Sequence, residues 1–236
     1  VPSKTDWLWI KDLYTGINLA LDYFGGLILG GDCSVGKEKV ISMTALGKQG
    51  EIKLRRNSCK PNEIILTTGI HGLSKLGLMI KSKTIFDSDI ALSHSLINSS
   101  LQQFCRPKLK PKFLKKILKT RTNKSIKMIG CTDSSDGLFQ ALLDLATESN
   151  CKAIIDYTKV PKHKNWPIGN KWDEYYFFGG EDYELVFSLP RKWANNLLNE
   201  DKTITEIGYF LEGDVSVDFK NCDNKNLLKN KSFSHF

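Results

Sequence analysis

Three acidic segments marked by glycine carry most of the residues of this sequence that could do chemistry. They are Gly-Gly-Asp at 30–32, Thr-Asp-Ser-Ser-Asp-Gly-Leu at 132–138 and Phe-Gly-Gly-Glu-Asp-Tyr-Glu at 178–184. Carboxylate oxygens are ligands that Mg²⁺ prefers, and glycine allows a backbone to approach a ligand closely. The three segments therefore indicate a site for a hard cation and for the phosphate groups that such a cation accompanies.

The segment at 132–138 lies between two apolar stretches of different periodicity. The apolar residues of 126–131 predict a strand, and the spacing of Leu138, Leu142 and Leu145 predicts a helix that begins at once afterwards. Amide groups at a helix N-terminus favour phosphate oxygens. A simple helix N-cap by Ser135 or Asp136 is the alternative, but one cap needs one such residue and 133–136 has four, two Asp and two Ser.

The other two segments are less specific when each is considered alone. Gly-Gly-Asp at 30–32 also fits an ordinary turn, and 178–184 fits a turn that leads into a strand. The occurrence of three such segments in one chain favours a shared function. Alternative phosphate and hydrolase motifs are missing from the sequence, which has no GxxxxGK[ST], GxGxxG or GxSxG. His71 is the one histidine in a glycine loop, and we do not assign it as a catalytic base.

The elements that must position these segments alternate irregularly along the chain. The predicted helices are 5–24, 74–81, 89–104, 111–121, 137–149 and 191–199. The predicted strands are 27–29, 40–45, 63–68, 126–131, 152–157, 183–189, 204–210 and 214–219. Pro161 and Pro167 indicate a loop between two of these strands. This order predicts an α+β fold, and the polar connector at 55–62 places a domain boundary near residue 59.

Composition excludes several classes of protein. A chain of 236 residues with 41% hydrophobic residues and no apolar run of about 20 predicts a globular protein with no membrane span. The six cysteines are scattered without a CxxC pair, so neither zinc nor a disulfide framework is expected, and a reducing cytoplasm fits. The net charge of +8 is concentrated in the basic run 108–124. A solvated helix face is the favoured interpretation, ahead of attraction of an anionic substrate and of nucleic-acid binding.

Taken together, the segments resemble the thiamine-monophosphate kinase family of the aminoimidazole-ribonucleotide-synthetase-like (PurM-like) superfamily. The matching stretches are GGD at 30–32, ISMTALG at 41–47, RNSCKPNE at 56–63, TTG at 67–69, Arg106-Pro107, DSSDGL at 133–138, GGEDYELVFSLP at 179–190 and SFSHF at 232–236. The resemblance implies a PurM-like fold. Residues 1–58 would then be the second half of an ATP- and Mg-binding, dimer-forming domain, and 59–236 the C-terminal domain.

The resemblance also implies an activity and a set of roles. The family transfers the γ-phosphate of ATP to thiamine monophosphate, giving thiamine diphosphate and ADP, with several Mg²⁺ ions. ATP contacts are expected from Gly31, Asp32, Arg56 and Ser135. Magnesium ligands are expected from Asp32, Asp133 and Asp136. Asp133, Asp136 and Arg56 are the expected catalytic residues, and Glu181 and Phe233 are expected to contact the thiamine phosphate.

The chain departs from the family pattern at several positions. Ser134 replaces an apolar residue, Cys33 replaces threonine, and the glycine loop differs at His71, Leu73 and Lys75. Family members begin earlier, with an Asp-rich segment that supplies further magnesium ligands. We therefore expect this chain alone to have little kinase activity, and a non-catalytic protein that binds nucleotide or thiamine phosphates is the alternative. The longer family protein is expected to be a cytoplasmic homodimer.

Overall fold

A computed structural model describes residues 1–85, 92–110 and 112–222. It divides the chain into two compact units, of which the first is Val1–Lys48 and the second begins at Gln49. The boundary between these units precedes the connector at 55–62, which belongs to the second unit. The assignment of 1–58 and 59–236 to two family domains stays a prediction.

Helix α1, Trp7–Phe24, is the regular element of the first unit, and it confirms the helix expected at 5–24. Asp6 precedes the helix, and its carboxylate accepts a hydrogen bond of 3.0 Å from the Leu8 amide. Glycine follows the last turn, where Gly25 adopts a φ of 86° and its amide donates to the Leu21 carbonyl. The helix thus begins and ends at the residue types that favour helix termini.

The strands predicted at 27–29 and 40–45 are wrong. The structure assigns neither helix nor strand to these residues, although their composition is apolar. A strand is stabilised by hydrogen bonds to a neighbouring strand, and none pairs with either stretch within the described part of the chain. Leu27, Leu29, Val40 and Met43 are exposed as a consequence.

The second unit is built on one seven-stranded mixed sheet. Its strands are β1 (Lys53–Arg55), β2 (Ile64–Thr68), β3 (Met128–Asp133), β4 (Lys152–Asp156), β5 (Leu185–Leu189), β6 (Ile204–Leu211) and β7 (Ser216–Lys220). They lie in the order β1-β3-β5-β2-β6-β4-β7. The two outermost pairs, β1 with β3 and β4 with β7, are parallel, and the other neighbours are antiparallel.

Helices cover both faces of this sheet. They are α2 (Leu73–Lys81), α3 (His94–Cys105), α4 (Phe113–Thr120), α5 (Leu138–Ser149), α6 (Asn170–Phe178) and α7 (Arg191–Glu200). The central strand β2 contributes Ile65 to the core shared with α2, α3, α5 and α6, and Ile64 and Leu66 to the core shared with α4 and α7. The expected α+β fold is confirmed. Among the described residues, no helix has the length and hydropathy needed to cross a bilayer.

The basic run packs against acidic residues of the fold. Helix α4 buries Phe113 and Ile117 in the core, so its lysines remain at the surface. Ion pairs join Lys116 to Asp201, Lys119 to Glu200, Lys110 to Glu184 and Arg121 to Glu51. On helix α4 itself, the pairs formed by Lys116 and Lys119 favour the interpretation of the run as a solvated helix face.

Two elements were not predicted from the sequence. Helix α6 lies in the stretch that Pro161 and Pro167 indicated as a loop, and it is rich in aromatic residues of modest helix propensity. Its stability comes from burial of Trp172, Tyr176 and Phe177. Strand β1 has three residues, all exposed, and it forms because it pairs in parallel with β3.

Candidate active site

The segment 132–138 forms the turn between strand β3 and helix α5, as the sequence predicted. Asp133 is the last residue of β3 and is exposed, and α5 begins at Leu138. The hydroxyl of Ser135 donates a hydrogen bond of 3.1 Å to the Asp133 carboxylate. A carboxylate, a hydroxyl and a helix N-terminus therefore lie together at the C-terminal end of β3.

The segment 179–184 packs directly on this turn. The Glu181 amide donates to the Ser135 carbonyl at 2.7 Å, and the Ser134 amide donates to the Glu184 carbonyl at 2.8 Å. The Glu184 amide donates in return to the Ser134 hydroxyl at 3.1 Å. Two segments that are distant in the sequence are thus one structural unit, and the serine that departs from the family pattern supplies one of its bonds.

The acidic residues of the 179–184 segment divide between the surface and the interior. Glu181 is exposed, whereas Asp182 and Glu184 are buried. Asp133 is also exposed and Asp136 is half-buried. The surface acids can meet a ligand, whereas the interior acids bond to neighbouring loops.

Glu184 connects three segments inside the fold. Its carboxylate accepts a hydrogen bond of 2.5 Å from the Thr68 hydroxyl and lies 3.1 Å from the Lys110 ammonium group. Gly69 follows Thr68 with a φ of 60°, and a Cβ atom there would lie 2.0 Å from the Glu184 carboxylate. Sequence reasoning did not identify Glu184, Thr68 or Lys110 as supports of the site.

His71 and Asp182 are two buried ionisable groups beside the site. Burial lowers the pKa of His71 to about 3, so its imidazole is neutral. Its Nε2 lies 2.7 Å from the Thr67 hydroxyl. Burial raises the pKa of Asp182 to about 7 against the opposing effect of hydrogen bonds from Ser74 and Gly72. A fully buried imidazole with so low a pKa is a weak proton acceptor, unlike a general base whose pKa lies near neutral pH.

Arg56 lies beside the end of β3. Its Nε donates a hydrogen bond of 3.1 Å to the Thr132 hydroxyl, next to Asp133 in the sequence. Its guanidinium also lies 3.2 Å from the Asp144 carboxylate of α5. The structure thus brings Arg56, Ser135, Asp136 and Glu181 to the neighbourhood of Asp133.

The remaining predicted residues belong to other parts of the chain. Gly31 and Asp32 belong to the first unit, where the Asp32 carboxylate accepts hydrogen bonds from the Cys33 amide at 2.8 Å and the Ser34 hydroxyl at 3.3 Å. Phe233 lies outside the described residues. The roles of all these residues stay predictions.

The donor chemistry of the site fits Mg²⁺ in part. Asp133, Asp136 and Ser135 offer oxygen atoms, which suit a hard cation. Within residues 1–85, 92–110 and 112–222, however, no group of three His, Cys, Asp or Glu side chains is arranged to hold a metal ion. The roles of Asp133 and Asp136 as magnesium ligands stay predictions.

Gly180→Ala should destabilise the protein by about 1–3 kcal/mol, the usual cost of overpacking. A Cβ atom at Gly180 would lie 2.3 Å from the Ser135 carbonyl oxygen, so the two loops would have to separate. Urea unfolding measures the change. Gly50→Ala is the matched control, because its added Cβ meets Leu114 at an ordinary 3.7 Å. Equal stability of the two variants would contradict the close packing of these loops.

Comparison with known proteins shows the family of the chain. Residues 60–220 match the family AIR synthase related protein, C-terminal domain. The thiamine-monophosphate kinase of Prochlorococcus marinus is 38% identical over 235 residues, which cover 100% of this chain and 71% of that protein. The thiamine-monophosphate kinase of Bacillus subtilis is 31% identical over 246 residues, which cover 100% of this chain and 72% of the relative.

Solved structures agree with the fold. AaThiL complexed with AMPPCP and TMP has a TM-score of 0.71 at 22% identity, covering 100% of this chain and 71% of that one. The protein tt0281 from Thermus thermophilus has a TM-score of 0.70 at 18% identity, covering 94% and 69%. These likenesses show a PurM-like fold. With the sequence relatives and the family match, they establish that the chain belongs to the thiamine-monophosphate kinase family.

Proposed function

We propose that this chain carries the site of an ATP-dependent kinase that converts thiamine monophosphate and ATP into thiamine diphosphate and ADP. The observation that carries the proposal is the direct bonding of the 132–138 turn to the 179–184 loop, which gathers Asp133, Ser135 and Glu181 at one sheet edge. The family's named activity supports it. So does the neighbouring structure bound to AMPPCP, an ATP analogue, and TMP.

The proposed reaction is an in-line phosphoryl transfer. A phosphate oxygen of thiamine monophosphate forms a bond to the γ-phosphorus of ATP, the bond from that phosphorus to the bridging oxygen breaks, and ADP leaves. The attacking oxygen is already anionic at neutral pH, so no general base is needed. This agrees with a site whose nearby histidine, His71, is buried and bonded to Thr67.

Charge repulsion between two phosphate groups is the barrier that the site must offset. When bound, Mg²⁺ supplies positive charge for this purpose, and Asp133, Asp136 and Asp32 are its proposed protein ligands. Arg56, whose side chain is half exposed, would add a fixed cation. Gly31, Asp32 and Ser135 are proposed to contact ATP, and Glu181 and Phe233 the acceptor.

Glu181→Gln should raise the KM for thiamine monophosphate by about tenfold and leave the KM for ATP nearly unchanged, because one charged contact to the acceptor is lost. The assay follows ADP release with thiamine monophosphate, both for this chain and for the chain extended at its N-terminus by the family segment. Glu200→Gln is the control, since Glu200 is a surface acid paired with Lys119.

The outcomes separate the proposed function from its alternative. Turnover by the extended form would support the kinase proposal. We expect that form to be active and to be a cytoplasmic homodimer. Binding of thiamine monophosphate without turnover in either form would support the non-catalytic alternative. An unchanged acceptor KM in Glu181→Gln would remove Glu181 from the acceptor site.

A further inference from the structure

The backbone at Glu181 has an unusual conformation. Its φ is 67°, in the left-handed region that a residue with a side chain seldom adopts. Such a conformation persists when surrounding contacts hold it. Here the Glu181 amide donates to the Ser135 carbonyl at 2.7 Å, and the Glu181 carbonyl accepts from the Ser74 hydroxyl at 2.8 Å. The amide and the carbonyl of Glu181 are therefore fixed by the 132–138 turn and by the first turn of α2.

The next residue, Asp182, points into the protein and is fully buried. Its carboxylate accepts hydrogen bonds from two amides at the start of α2, from Gly72 at 2.5 Å and from Ser74 at 2.9 Å. Its carbonyl accepts a third bond, of 2.8 Å, from the Gln103 side chain of α3. Asp182 thus caps the start of α2, where the first backbone amides have no partner within the helix.

These contacts form a single connection between two segments. Ser74 donates to Glu181 through its hydroxyl and to Asp182 through its amide, so one residue of α2 holds both. The exposed acid and the buried acid are adjacent in the sequence, and a shift of Asp182 would move the Glu181 backbone. The exposed Glu181 is therefore oriented by the buried Asp182.

We propose that Asp182 is a positioning residue, whose buried carboxyl group locks the 179–184 loop onto the start of α2 and so orients Glu181 toward the acceptor, thiamine monophosphate. The inference rests on the proposed function, because it takes Glu181 as the acceptor contact. It assigns to Asp182 a role that acts through Glu181 and involves no contact with substrate.

A double-mutant cycle on the 236-residue chain tests this role, with calorimetric affinity for thiamine monophosphate as the measurement. Asp182→Asn keeps the size of the side chain but places an amide group against a backbone N–H donor. It should weaken acceptor binding about tenfold in the unmodified chain. In the Glu181→Gln background it should weaken binding less than about twofold, because the contact that it orients is already lost.

Asp156→Asn and a second pair of variants serve as controls. Asp156 is a buried carboxylate that bonds to Thr158, on a strand distant from β5 in the sheet order. Its substitution should leave acceptor affinity unchanged. Ser74→Ala removes the bond to the Glu181 carbonyl and should reproduce the Asp182→Asn effect without its risk of misfolding. Ser100 is a buried serine whose hydroxyl has no partner within the described residues, so Ser100→Ala should leave acceptor affinity unchanged.

The outcomes distinguish this inference from the proposed function. Equal losses from Asp182→Asn in the unmodified chain and in the Glu181→Gln variant would show a general structural effect and overturn the positioning role. A normal affinity in Ser74→Ala would overturn it too. Failure of the unmodified chain to bind thiamine monophosphate would instead reject the acceptor assignment, and the role of Asp182 with it.

Discussion

Asp133→Asn should lower the rate of thiamine monophosphate phosphorylation by about 10³-fold and weaken Mg²⁺-dependent ATP binding. A bound metal contributes several kcal/mol of charge stabilisation, and each ~1.4 kcal/mol lost costs a factor of about ten. Asp133 ends β3, is exposed and accepts a hydrogen bond from Ser135. Asparagine keeps its shape and the acceptor for that bond but lacks the negative charge that strengthens binding of a hard cation.

The kinetics of the N-terminally extended form provide the measurement, with ATP affinity determined at several Mg²⁺ concentrations. Asp218→Asn is the matched control, since Asp218 lies on β7 at the opposite end of the sheet and pairs with Lys152. It makes the same chemical change far from the site and should leave the rate unchanged. Normal kinetics in Asp133→Asn would sink the assignment of Asp133 as a metal ligand.

The turn that carries Asp133 could be predicted from the sequence, because its signals are local. An apolar stretch, four polar residues and a helical periodicity follow one another in 126–149, and the structure has a strand, a turn and a helix in that order. The bonding of Ser135 to Glu181 could not be predicted in this way. It depends on the antiparallel pairing of β3 with β5, which sets Asp133 opposite Leu185.

The buried supports were harder still to predict. The residue pattern of 178–184 does not separate its acids, and only the family resemblance singles out Glu181, whereas the fold buries Asp182 and Glu184 and exposes Glu181. Burial of an acid depends on distant partners, here the amides of α2 for one and Thr68 with Lys110 for the other. Such partners leave no periodic signal in the sequence around the acid itself.

The wrong predictions have the same origin. The stretches at 27–29 and 40–45 have strand composition but no pairing strand in the described residues, and composition alone does not supply a partner. Helix α6 shows the reverse case, since packing of Trp172 and Tyr176 against the core maintains a helix that local propensity leaves unmarked.

Two neighbouring buried groups, His71 and Asp182, should give the protein compensating responses to pH. Burial lowers the pKa of His71 from 6.5 to about 3 and raises that of Asp182 from 3.8 to about 7. Between about pH 4 and pH 6.5 the folded protein carries its proton on Asp182, whereas the unfolded chain carries one on His71. The two states bind equal numbers of protons at this pair, so the pair contributes no slope to stability there.

Removal of either group should reveal the pH dependence of stability that the other group produces. His71→Gln leaves Asp182, whose raised pKa makes the folded state bind one more proton. Stability should then increase by about 1.4 kcal/mol per pH unit as the pH falls from 6.5 toward 4. Asp182→Asn leaves His71, whose lowered pKa makes the unfolded state bind one more. Stability should decrease by about the same amount over the same range.

Urea unfolding at about pH 6.5 and about pH 5 measures how the stability of each variant changes with pH. The unmodified chain is the reference, because all other titrating groups contribute equally to it and to the variants. The expected change is about 2 kcal/mol in opposite directions for the two variants. The comparison is of slopes, so a uniform loss of stability in either variant does not affect it. Slopes of the same sign in both variants would contradict the opposed protonation of His71 and Asp182. Opposed slopes would show that the buried carboxyl group stabilises the protein as the pH falls. They would also show that the buried neutral histidine destabilises it by a similar amount.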